Sequence, residues 1–202
     1  MGSRVIEVDP ERLDRWLAGF ADRHGPVEST RDDTADGVVV RARAADGACV
    51  VATPFAHDPL GLVLVRRGGY AAGLALAGTL TAAKVGSRRV QSRTAAGGWS
   101  QQRFARRRDK QADELVDAVV RHARRILLAD DESPGRDAEG LPRGLVVGGD
   151  RALVREVLEA PALRALRGLP MRELYDLPDP RRDVLETALR RGRAYRITLT
   201  EA

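Results

Sequence analysis

Residues 84–127 read KVGSRRVQSRTAAGGWSQQRFARRRDKQADELVDAVVRHARRIL. The first part, to Lys110, holds Lys84, Arg88, Arg89, Arg93, Arg103, Arg106, Arg107, Arg108 and Lys110 against the single acid Asp109. Gly86, Gly97 and Gly98 punctuate it, Gln91, Gln101 and Gln102 are its neutral polar side chains, and large apolar residues are scarce before Phe104. Such a stretch cannot fill a core. It is either a solvated charged run or it grips something anionic. Glycine permits close approach of the backbone to a ligand, arginine binds phosphate bidentately, and glutamine can position a water or hydroxyl without adding charge. From about Gln101 to Leu128 the pattern changes. Phe104, Leu115, Val119, His122 and Ile126 recur at helical spacing, which predicts one long amphipathic helix.

Upstream, GLVLVRRGGYAAGLALAG (61–78) reads as a hairpin with Gly68-Gly69 at its turn. GVVVRARAADGACVVATPF (37–55) reads as two strands joined at Asp46-Gly47. Hairpins in succession imply antiparallel pairing in the first half of a sheet. DPERLDRWLAGFADRHG (9–25) reads as a helix, capped by Asp9, with Pro10 in its first turn and Gly25 at its end. PVESTRDDTAD (26–36) reads as a linker. Downstream, RGLVVGGD (143–150) predicts a strand, RALVREVLE (151–159) a helix, MRELYDL (171–177) a short strand, DPRRDVLETALRRG (179–192) a helix and AYRITLTEA (194–202) a final strand. The whole predicts an α/β fold, a mixed β-sheet with flanking helices and a long helix after a basic Gly-rich loop.

The 202 residues suit one domain with a small appendage, drawn as an N-terminal helical segment over 1–30 and a larger domain over 31–202. A hydrophobic fraction of 43% is enough for a core, so general disorder is excluded. The net charge is +5, less than the surplus of the 84–110 segment alone, so the rest of the chain is slightly acidic and the basicity is concentrated. Cys49 is the only cysteine, which fits a reducing cytoplasm. The N-terminus shows no secretory pattern, and no apolar run reaches membrane-spanning length; no membrane partner is expected. His24, His57 and His122 lack metal-ligand spacing, so neither a metal nor a cofactor is expected. His122 reads as helix packing or a cap. The phosphate-loop and nucleophile-elbow signatures do not occur.

GGWSQQRFARRRDKQADELVDAVVRHARRIL (97–127) resembles the middle domain of eukaryotic-type class-one peptide chain release factors. There a Gly-Gly-Gln loop is followed by Ser, a short spacer, an RFARLR run and a long amphipathic helix. Gly97, Gly98, Ser100, Arg103, Phe104, Ala105, Arg106 and Arg108 match that run without a gap. The resemblance extends more loosely over about residues 37–202, with its specificity in 84–108. Trp99 stands where the family has its catalytic Gln. This departure points to the Vms-type release-factor-like branch, whose loop is longer and whose Gln lies upstream of the arginine-rich helix start. Gln91 holds that upstream place; Gln101, two residues past the ungapped position, is its rival. Zinc-finger, ankyrin and coiled-coil segments of relatives in complex cells are not visible, so a free-standing bacterial form is expected.

The resemblance implies a ribosome-associated peptidyl-tRNA hydrolase that frees nascent chains on stalled ribosomes. Its partners would be the peptidyl-transferase region of the large subunit and peptidyl-tRNA, and the protein a cytoplasmic monomer. Gln91 or Gln101 would be catalytic. Gly86, Ser87, Gly97, Gly98 and Trp99 would shape the loop. Arg88, Arg89, Arg93, Arg103, Arg106, Arg107, Arg108 and Lys110 would contact RNA. Two alternatives stay open. One is cleavage of the tRNA near its 3′ end. The other is a non-catalytic RNA- or ribosome-binding module, for which Trp99 in the Gln place is the support.

Overall fold

A computed structural model describes residues 2–87, 100–128 and 141–201, and of 100–110 the helical backbone alone. It divides the chain into two compact units, residues 1–57 with 190–202, and residues 58–189.

The first unit is an antiparallel sheet of five strands in the order β1 (Ser3–Val8), β10 (Tyr195–Thr200), β4 (Cys49–Thr53), β3 (Gly37–Ala44) and β2 (Val27–Thr34). Helix α1 (Leu13–His24) packs Leu13 and Phe20 on the face made by Val8, Val40, Ala42, Val50, Ala52, Ile197 and Leu199. Its start differs from expectation. A 3₁₀ turn, Pro10–Arg12, leads in, and Asp9 makes no side-chain cap. The Asp9 carbonyl accepts from the Arg12 amide at 2.9 Å, and its carboxylate lies 3.6 Å from Arg190. Gly25 ends the helix at φ 85°, as expected. The β3–β4 turn also stands as read. Gly47 has φ 91°, and the Asp46 carboxylate accepts from the Ala48 amide at 2.9 Å. The stretch read as a linker is in fact β2, and the boundary drawn at residue 30 falls within it. β2 is exposed from Glu28 onward and is held by its ladder to β3, from Val27↔Ala44 to Thr34↔Gly37.

The second unit is a mixed sheet in the order β7 (Thr79–Ser87), β6 (Gly69–Leu76), β5 (Leu60–Arg66), β8 (Gly144–Gly149) and β9 (Met171–Leu174). β7, β6 and β5 pair antiparallel, while β5, β8 and β9 run parallel. The β5–β6 turn is Arg67-Gly68, one residue earlier than expected, because Gly69 already pairs with Arg66. Helix α2 (Ser100–Leu127) and helix α3 (Arg151–Glu159) bury Leu115, Val116, Val119, Ala123, Leu127, Leu153, Val154 and Val157 against Val63, Val65, Ala72, Leu74, Leu145 and Val147. A 3₁₀ segment, Pro161–Leu166, adds Leu163 and Leu166 to this core. On the other face Gly73 lies beneath Leu185 of α4 (Arg182–Arg193).

The α/β class therefore holds, but as two sheets. β4 and β5 follow one another in sequence and belong to different sheets, and β10 joins the first sheet rather than extending the second.

Candidate functional site

The cationic segment is strung between β7 and α2. Lys84, Gly86 and Ser87 lie on β7. Gly86 and Ser87, grouped with the loop in sequence, are thus the last two residues of a strand, paired with Tyr70 and Gly69. Their ladder to β6 overrides the turn signal of a small-residue run. Arg88, Arg89, Gln91, Arg93, Gly97, Gly98 and Trp99 lie outside the described residues. Gln101, Arg103, Arg106, Arg107, Arg108 and Lys110 occupy the first three turns of α2.

Tyr70 ties the strand to the helix. Its ring covers Gly86, where a Cβ would fall 2.4 Å from Tyr70 Cε1, closer than any side chain can sit. The same ring stacks on His122 of α2, with centroids 5.7 Å apart and planes 16° from parallel. A glycine opposite an aromatic ring on the neighbouring strand lets the ring lie flat on the backbone. The last residues of β7 and the body of α2 are thereby held to one side chain. Sequence reading placed His122 as packing, which it is, but missed Tyr70. The available signal was a lone aromatic among small residues, GGYAAG (68–73), with KVGS (84–87) to follow. The helix stripe also turns out wider than read, because Val116, Ala123 and Leu127 are buried beside Leu115 and Val119.

Burial, then the charges of Lys84, Arg121 and Arg125, holds His122 below its usual value of 6.5. Its imidazole is thus neutral against Tyr70 near neutral pH. The unfolded chain takes up this proton at higher pH than the folded one. Stability from the neutral ring is therefore complete above about pH 6.5 and is lost as pH falls towards the folded value. Melting temperature should fall between about pH 7 and pH 5 in the wild type. His122→Gln should flatten that slope; an equal slope in the variant would assign it to other groups.

An edge strand, β7, and a long helix, α2, flank the arginine-rich segment along the chain. The chain belongs to the Actinobacteria/Chloroflexi VLRF1 release factor family, whose sequence pattern matches residues 58–198. The match begins where the second unit begins and encloses the cationic segment. No curated protein matches the chain. The expected Vms-type release-factor-like relationship is borne out, and with it a ribosome-associated, release-factor-like role in translation. Among the described residues, no group of side chains could hold a metal ion, and no helix is long and apolar enough to cross a membrane.

Proposed function

We propose that this protein hydrolyses the ester of peptidyl-tRNA on stalled ribosomes in the cytoplasm, acting at the peptidyl-transferase region of the large subunit. The observation that carries the reading is the family match across the unit that holds the cationic segment. In this reading Gln91 places the attacking water or stabilises the charge that develops on the ester oxygen. Gln101 is the rival for that role. Arg88, Arg89 and Arg93 grip the CCA end or ribosomal RNA. Arg103, Arg106, Arg107, Arg108 and Lys110 contact phosphates from the start of α2. The cations suit RNA, and the small residues suit a narrow site.

The test is incubation of the protein with purified ribosome–nascent-chain complexes, followed by separation of peptide, peptidyl-tRNA and tRNA ends. Free peptide with a full-length tRNA is the expected product. Peptide still joined to a 3′ tRNA fragment would replace ester hydrolysis with phosphodiester cleavage. Binding without any product would leave a non-catalytic module.

A further inference from the structure

We infer that the carboxyl edge of the second sheet is an RNA phosphate-binding rim, built by Arg66, Arg67 and Arg151 at the end of the sheet where β7 closes on Ser87. The inference rests on the RNA partner proposed above and adds a surface outside residues 84–110.

The strand registers place these residues at one end of the sheet. Ser87, where the cationic segment leaves β7, is opposite Gly69; Gly69 is opposite Arg66. Val65 is opposite Gly149, and Gly148 is opposite Leu174. Arg67 and Gly68 make the hairpin turn, and Arg151 opens α3 directly after β8. The parallel strands β5, β8 and β9 all end here, and open α/β sheets take ligands outside the carboxyl ends of such strands.

Arg66 and Arg151 are held in place without acidic partners. The stem of Arg66 runs beside Gly149, where a Cβ would come within 3.1 Å of its Cγ. Its Nη2 reaches the Tyr175 carbonyl at 3.5 Å, and its buried Nε has no partner among the described residues. Arg151 stacks over the Tyr175 ring at 4.5 Å. Arg67 is exposed at the tip of the turn. None of the three makes an ion pair among the described residues.

Two of the acids nearby are engaged by other groups. Asp150 accepts from the amides of Ala152 and Leu153 at 2.9 and 3.3 Å. Glu173 bonds Tyr175. Asp179 lies against Gly68 and forms no ion pair with Arg67. Guanidinium groups gathered at one end of a sheet, two of them held against Tyr175 and none of them ion-paired among the described residues, suit a polyanion whose phosphates repeat along a chain.

The experiment compares wild type with three neutralised variants for binding to purified large ribosomal subunits and to a single-stranded RNA oligonucleotide, over a range of salt. The rim variant is Arg67→Gln/Arg151→Gln, which spares the partly buried Arg66. The segment variant is Arg106→Gln/Arg107→Gln/Arg108→Gln. The charge-matched control is Arg12→Gln/Arg15→Gln, in the 3₁₀ turn and the first turn of α1 in the first unit. The rim variant should bind roughly tenfold more weakly, and its plot of log affinity against log salt should be shallower by about 1.4 for two lost contacts to single-stranded RNA. The control should match wild type, and thermal melts should coincide. A rim variant that binds like wild type, while the segment variant weakens, would overturn the rim and leave the RNA reading standing. Equal loss in the control would reduce the effect to net charge and overturn the rim. Failure of wild type to bind either RNA would remove the rim and the reading beneath it together.

Discussion

Replacing Gln91 with alanine is expected to slow nascent-chain release by about 10²–10³-fold while leaving ribosome co-sedimentation near wild type. The size is that of losing one positioned polar group from a site where charge develops. Binding should survive because the many cations of residues 84–110 are untouched. Gln101→Ala should be milder. Gln101 is the second residue of α2, so its backbone is committed to the helix. Single-turnover release from stalled complexes would separate the two variants. The reverse ranking, with Gln101 essential, would favour the ungapped alignment over the longer-loop reading and put the catalytic residue two positions past Trp99. Full activity in both variants would leave arginine and backbone groups as the only candidates and would favour phosphodiester cleavage.

Gly149→Ala should be the most damaging small substitution in the second unit. Gly149 ends β8 at φ 103°, a conformation that L-residues rarely adopt. A Cβ there would lie 2.1 Å from the Val65 carbonyl oxygen, a backbone atom that cannot step aside. Dihedral strain and overpacking, each about 1–3 kcal/mol, act together. The expected loss is about 3–5 kcal/mol, seen as a fall in melting temperature of roughly 10 °C for a chain of this size. Gly168→Ala is the informative comparison. It shares the positive φ, at 86°, but a Cβ there would meet nothing within 4 Å, so strain acts alone and the loss should be smaller. If the two substitutions cost the same, the contact with Val65 is not the cause.

The elements that sequence revealed are those whose burial is written in their own pattern. Helix α2 carries a regular apolar stripe, and the β3–β4 turn has Asp46-Gly47 at its tip. The elements it concealed depend on a neighbour. Past Val27, β2 is polar and exposed, and its ladder to β3 makes it a strand. β1 likewise buries only Val8 and exists through its pairing with β10. β7 ends in small residues because Tyr70 of β6 supplies the bulk over Gly86, so the end of the strand reads as loop. Membership of one sheet or two is a matter of long-range pairing, which no local period records. For the site, charge and glycine content marked the segment and a family motif marked its class. The clamp of Tyr70 on Gly86 and His122 joins three distant positions, and no spacing along the chain announces it.

The position of β10 has a consequence for how the protein is made. β10 lies between β1 and β4, with Val8 opposite Tyr195 and Cys49 opposite Thr200. Synthesis proceeds from the N-terminus, so β2, β3 and β4 emerge early and can pair among themselves, while β1 has no neighbour until the strand at 195–200 arrives. In the interval the inner edge of β4, Cys49–Thr53, offers unpaired amides and carbonyls to any passing strand. A nascent chain arrested before Tyr195 would hold the second unit nearly whole and the first unit open at two edges, the form of this protein most prone to join with others of its kind.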